Sequence, residues 1–211
     1  MSKLLSLLYI SYPLILHLSI YFQQLSWGLY WLAVLIFISA CQKLVLGAKL
    51  SATIVGAFLF SISLAAATYK APDATAIFLP LLLYTALFSI FARTLLEGRI
   101  PLITKMACLV RDVEAAELNQ TILDYTRLAT QLWALFFLLM GLSSLLLGLF
   151  ADLNLWSFFV NFLSYILVGV MFIFEYWLRK KLVGKQMDYT MKQYFQRMRG
   201  IKLAQVLRLS R

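Results

Sequence analysis

Along the chain the hydrophobic positions fall into long runs separated by short polar connectors. Six runs stand out, at 4–22, 25–42, 51–69, 76–92, 131–150 and 156–178. An apolar helix of about 20 residues crosses a hydrocarbon core of about 30 Å, so each run approaches or meets that length. None alternates with the period of two that marks a barrel strand, and in lipid only helices and closed barrels satisfy every backbone group. The pattern therefore predicts an all-α polytopic membrane protein with six transmembrane helices, occupying residues 1–178. The longest connector, 93–130, opens with an amphipathic pattern. Pro101 suits a first helical turn, and Ile103, Met106, Val110 and Val113 share one face while Lys105, Arg111 and Asp112 lie elsewhere. Such a helix is expected to lie along the inner-leaflet interface. From Glu117 the series Leu118, Ile122, Tyr125, Leu128 and Leu132 runs on into the fifth span as one predicted helix. The tail, 179–211, repeats the motif: Met187, Met191, Tyr194, Phe195 and Met198 precede Gly200, and Ile201, Leu203, Val206, Leu207 and Leu209 follow. An interfacial anchoring helix, a docking segment for a soluble partner and a disordered tail are the three readings of it.

Composition agrees with the pattern. Of the 211 residues 63% are hydrophobic and 13% charged, whereas a soluble domain has about 45–50% apolar and about 25% charged residues. Charge then fixes an orientation. The net charge is +10, and the tail holds ten of the nineteen Lys and Arg residues against one acid, Asp188. With the N-terminus in the cytoplasm, the inner connectors hold Lys3, Lys43, Lys49, Arg93, Arg99, Lys105, Arg111 and Arg127, and the tail joins them. Lys70 is then the only cation outside, as the positive-inside rule requires. Both termini are predicted to be cytoplasmic. The first run starts with a single lysine, is longer than a signal-peptide core and lacks an A-x-A site, so it is expected to stay as a span. A basic tail next to a span points to anionic headgroups. Nucleic acid is not expected as a partner, since no recognised nucleic-acid fold accompanies the tail.

Chemistry enters through the few polar residues inside the spans, where an ionisable group is costly and by default a functional candidate. His17 shares a helical face with Ser6, Tyr9 and Pro13, and Pro13 deprives the carbonyl of Tyr9 of its usual donor. In the sixth span Ser157, Asn161 and Ser164, then Val168, Met171 and Glu175, form a stripe expected to face other helices. Arg179 follows Glu175 at the spacing of a helical ion pair. Hydrogen bonding between helices is one reading of these residues, and a lining for a substrate route is the other. Ala57, Ser61 and Ala65, and likewise Gly141, Ser144 and Gly148, form small-residue ridges that permit close helix approach within one chain or between copies. Trp27, Trp31, Trp133, Trp156 and Trp177 sit near predicted span ends, where interface anchors belong. Cys41 and Cys108 fall on the reducing side and are too few for a cysteine metal site. No phosphate-binding loop, nucleophile elbow, histidine box or internal repeat appears, so no catalytic residue, metal or cofactor is assigned.

Three segments of the second half carry a resemblance: GRIPLITKMACL at 98–109, YTRLATQLWALFF at 125–137, and Asn161, Tyr165, Gly169, Met171, Phe172 and Glu175 in the last run. Together they resemble a family of bacterial inner-membrane proteins encoded among aryl-polyene and related type II fatty-acid-synthase-like gene clusters. The resemblance covers about half the chain. It implies a place in the inner membrane beside an acyl-carrier-dependent pathway that makes a lipid-like product, and no particular reaction. Tyr125 and Arg127 fall on the most recognisable motif. With Arg93, Arg99 and Arg111 of the same connector, and Arg179, Lys180 and Lys181 at the end of the sixth span, they would form a cluster able to receive a phosphate.

The resulting expectation is a non-catalytic accessory protein that holds anionic lipid or recruits other membrane or acyl-carrier pathway proteins. A membrane enzyme using His17, Glu175 or the connector arginines is the second reading. A lipid transporter or flippase component with polar faces on the first and sixth spans is the third.

Overall fold

The computed structural model describes residues 3–45, 52–111 and 113–184. The side chains of Lys3, Ser6, Tyr9 and Lys43, together with Lys49, Asp112 and the tail from 185 onward with its Met187–Leu209 stripe, lie outside the described residues. Among the described residues every regular element is helical: α1 (Lys3–Tyr21), α2 (Leu25–Val45), α3 (Ala52–Lys70), α4 (Pro72–Arg93), α5 (Leu102–Arg111), a 3₁₀ turn (Ala115–Glu117), α6 (Gln120–Phe150), α7 (Leu153–Phe158), a π-helical turn (Phe159–Leu163) and α8 (Ser164–Leu182). Five stretches are long and apolar enough to cross a membrane: Leu25–Gln42, Thr53–Lys70, Pro72–Arg93, Gln120–Phe150 and Leu153–Leu182. In α1 the apolar stretch whose side chains are described is Ile10–Tyr21. Large apolar side chains such as Ile10, Leu59, Ile62, Phe150 and Ile173 point outward, a surface that suits acyl chains and not water. The chain is an all-helical membrane protein.

Local chemistry explains the helix ends. α1 closes with a Schellman motif: Gln23 takes a left-handed φ of 58°, its N–H donates to the Ile20 carbonyl at 2.9 Å, and the Gln24 N–H donates to the Ser19 carbonyl at 2.7 Å. That compact reversal lets three residues, Phe22, Gln23 and Gln24, suffice between α1 and α2. Ala71 alone separates α3 from α4, because Pro72 starts a helix without needing an N–H partner. Asp73 in the first turn of α4 and Lys70 in the last turn of α3 complement the helix dipoles. Asp152 caps α7 by accepting the Leu155 N–H at 2.9 Å. The predicted unbroken helix from Glu117 is corrected. Leu118 is extended (φ −76°, ψ 139°), and α6 begins afresh at Gln120 with the Asn119 side chain accepting the Thr121 N–H. At 31 residues α6 is about 46 Å long, well beyond the hydrocarbon thickness.

The chain forms two compact units. The first comprises Met1–Leu82 and Leu142–Ile166. Its core gathers Leu16, Ile20, Leu25, Leu29, Ala76 and Trp156, with Ile77 and Leu147 packed against them. Within it α2 lies against both α1 and α3. Ser61, from one of the small-residue ridges, donates to the Ala33 carbonyl at 2.7 Å and so ties α3 to α2. Gly28 is where α1 and α2 come closest: a Cβ there would lie 2.9 Å from the Leu16 Cα and 2.8 Å from the Ser19 Oγ. A Cβ on Gly169 of α8 meets nothing. Gly28→Ala is therefore expected to lower stability by about 1–3 kcal/mol, the usual cost of overpacking, because a backbone atom has to move. Gly169→Ala should be neutral or slightly stabilising through helix propensity. Thermal unfolding of the two variants in detergent checks the contrast, and equal effects would refute it.

The second unit comprises Leu83–Gly141 and Leu167–Arg211. Cys108, Leu118, Ile122, Tyr125, Ala129 and Val183 form one cluster, with Ile103 and Leu178 alongside. Trp133 anchors another, stacked on Phe91 at 6.2 Å and edge-on to Phe172 at 4.8 Å. The tryptophans thus divide. Trp27 and Trp177 are exposed, as anchors should be, while Trp133 and Trp156 are core residues. Nearness to a span end does not tell which side of the helix a residue occupies.

Candidate functional site

In the first unit the polar residues of two predicted spans meet. The His17 Nδ1 lies 3.0 Å from the Ser157 Oγ, and the Asn161 Nδ2 donates to that same oxygen at 3.0 Å. Ser157 and Asn161 are buried and His17 is half-buried. The imidazole also stands edge-on to the Phe162 ring at 5.1 Å. Asn161 belongs to the π-helical turn, a distortion that recurs at functional positions in helices. Ser157 has one proton and two lone pairs, and one lone pair serves Asn161. Either Ser157 donates to Nδ1 and the histidine proton sits on Nε2, or Nδ1 carries the proton and donates to Ser157. The arrangement is a buried hydrogen-bonded chain that either histidine tautomer satisfies. Ser164, the next member of the stripe, donates to the Val160 carbonyl of its own helix.

Glu175, predicted on the same stripe, belongs to the second unit. Its partner there is one that sequence spacing does not reveal: the Tyr125 hydroxyl donates to the Glu175 Oε1. The Tyr125 ring is buried, so its hydroxyl serves the carboxylate and does not stand open as a phosphate ligand. The Arg179 guanidinium lies 5.8 Å from the Tyr176 ring, and the Lys181 ammonium lies 5.2 Å from the Trp177 ring. Arg93, Arg99, Arg127, Lys180 and Lys181 are exposed, and Arg111 and Arg179 are half-buried. Arg99 donates from Nη1 to the Arg93 carbonyl, at the C-terminal end of α4 where a cation is favoured.

α5 departs most from expectation. The sequence places Lys105 on its polar side, yet Lys105 is 2% exposed, and Leu102, Thr104, Cys108 and Val110 are buried with it. Hydroxyl groups hold this helix. The Leu102 N–H donates to the Thr94 Oγ1 at 3.0 Å and the Ile103 N–H donates to the Thr130 Oγ1 at 3.2 Å. The Thr104 and Thr126 hydroxyls are 2.7 Å apart. Thr126 gives its proton to the Leu123 carbonyl, so Thr104 is the donor in that pair. Burial, and then the positive charge of Arg99, push the Lys105 pKa down. Burial likewise pushes the Cys108 thiol up, leaving it a small apolar side chain. Lys105 and the four threonines are the residues that sequence reasoning misses. A lysine interrupting an otherwise amphipathic helix is their one sequence signal.

Among the described residues no group of three or more His, Cys, Asp or Glu side chains is arranged to hold a metal ion. Comparison with protein-family models, curated proteins and solved structures finds no match to the chain.

Proposed function

We propose that this protein is a non-catalytic accessory component of the bacterial inner membrane, with six spans and both termini in the cytoplasm. Its basic cytoplasmic face holds anionic phospholipid and recruits pathway partners. One observation carries the reading: of the Lys and Arg residues whose side chains are described, all but Lys70 belong to the second unit. The described groups with the most chemical potential are also engaged structurally, His17 with Ser157 and Glu175 with Tyr125. For α1 to serve as the sixth span it must use most of its 19 residues, about 28 Å of helix. The sequence resemblance supports a role beside a pathway making aryl-polyene or fatty-acid-like lipids, where a membrane platform for acyl-carrier enzymes is useful.

Site-directed labelling tests this layout. In a background lacking Cys41 and Cys108, a cysteine replacing Lys70 should react with a membrane-impermeant maleimide in intact cells. One replacing Arg211 should react only after the membrane is opened. Labelling of the Arg211 position from outside overturns the orientation, and with it the cytoplasmic basic face.

A further inference from the structure

One face of α6 is exposed along its length, and its residues repeat. Leu128, Leu135, Leu142 and Leu149 recur at every seventh position and are 38%, 50%, 47% and 62% exposed. Gln131 and Leu138 follow the first two of them by three residues and are exposed as well, which gives the row the spacing of a coiled-coil seam. From Leu128 to Leu149 the row is about 32 Å long, enough to cross the hydrocarbon layer. Lipid calls for apolar groups and sets no period along a helix. A second helix does, because a strict seven-residue repeat keeps the seam turned toward its partner. The small-residue ridges are already used inside the chain: Ser61 is bonded to the Ala33 carbonyl, and a Cβ on Gly148 would meet Ile77 at 2.9 Å.

The polar members of the row fit a second copy. Among the described residues Gln131 makes no side-chain hydrogen bond. A primary amide has two donors and an acceptor, so it is its own complement. Every copy crosses the membrane in the same sense. A twofold axis along the membrane normal therefore sets Gln131 against Gln131 and each leucine against its equivalent, as a self-complementary interface requires. Nearer the start of the helix Asp124 and Arg127 are both exposed, and each copy offers the other one charge of either sign.

We propose that two copies of this chain pair in parallel through the leucine row of α6, with the Gln131 amides hydrogen-bonded across the seam. Lipid is as apolar as leucine, so close packing and the bond between the amides drive the association, and not escape from water. The pairing needs neither a cytoplasmic N-terminus nor a bound phospholipid, and it stands apart from the basic-face reading.

Oxidative cross-linking in native membranes tests it, using the full chain without Cys41 and Cys108. Leu135→Cys, Leu138→Cys and Leu142→Cys should each join two copies at the same position. Phe136→Cys and Ser143→Cys, which lie off the row, should not, and neither should Ile173→Cys on the exposed face of α8. Sedimentation in density-matched detergent gives the strength. Wild type should dimerise, and Gln131→Leu should raise the dissociation constant about tenfold, as expected for one hydrogen bond between helices in lipid. Gln131→Asn should keep most of the affinity. Leu135→Ala combined with Leu142→Ala should weaken the dimer at least as much as Gln131→Leu, and Ile173→Ala should leave it unchanged. A monomeric wild type, or equal cross-linking on and off the row, overturns the proposal. A cross-linked product whose mass is not twice that of the chain overturns the second copy in favour of a different membrane protein on the same face.

Discussion

Trp156→Ala should destabilise the protein by about 3 kcal/mol, the low end for a large aromatic truncated in a core. The low end applies because lipid is nearly as apolar as a protein interior, so the lost term is packing and not transfer from water. Trp156 is fully buried among Leu16, Ile20, Leu25, Leu29 and Ala76, and no rearrangement of small groups fills the volume of an indole. Among the described residues the indole Nε1 has no hydrogen-bond partner. Replacing Trp156 by Phe therefore loses volume only, and removes a buried donor whose lack of a partner costs about 1–3 kcal/mol. Trp156→Phe should accordingly lose much less stability than Trp156→Ala, or none. Thermal or denaturant unfolding in micelles measures both. Equal losses would mean that the N–H has a partner. Since Ser157 follows directly, the alanine variant should also loosen the link between His17 and Asn161.

The second large effect concerns Tyr125. Its hydroxyl donates to a carboxylate, and a hydrogen bond to a charged acceptor contributes about 1.5–3 kcal/mol, against about 1 kcal/mol for a neutral pair. Tyr125→Phe keeps the ring in its cluster and removes only the donor, so a loss of about 2 kcal/mol is expected. Glu175→Gln keeps an acceptor and should cost about half as much. In a double-mutant cycle with Glu175→Leu, the two positions should couple by more than 1 kcal/mol, within the range of about 0.5–3 kcal/mol typical of contacting residues. Additive losses would show that the bond contributes nothing to the folded state.

Much of this architecture is readable in the chain. The apolar runs locate the long helices, and Gln23–Gln24 and Ala71–Pro72 mark reversals because few residues can make them so short. The polar character of Ser157, Asn161 and His17 identifies groups that avoid lipid, although pairing across 140 positions of sequence depends on packing. α5 misleads for a physical reason. Hydrophobic periodicity finds the side that avoids water, and in soluble proteins that is the side facing the core. If α5 lies at a bilayer surface, as the proposed layout has it, apolar groups have acyl chains as an alternative, which fits Ile103 and Met106 being half-buried while the threonines and Lys105 are buried. The same reasoning explains Trp156, whose position near a span end suits an anchor and whose orientation makes it a core residue. Glu175 has Arg179 at helical spacing, but only the fold reveals Tyr125.

The threonine contacts give α5 an unusual way to come loose. Thr94, Thr126 and Thr130 give their hydroxyl protons to the carbonyls of Phe91, Leu123 and Thr126 within their own segments, and turn only lone pairs toward α5. Detachment of the short helix would leave those protons where they are and free three donors of α5, the Leu102 and Ile103 amides and the Thr104 hydroxyl, for water. The polar part of docking is thus inexpensive to undo, since each freed donor can meet water. Deuterium uptake at those two amides becomes a clock for how long the helix stays seated.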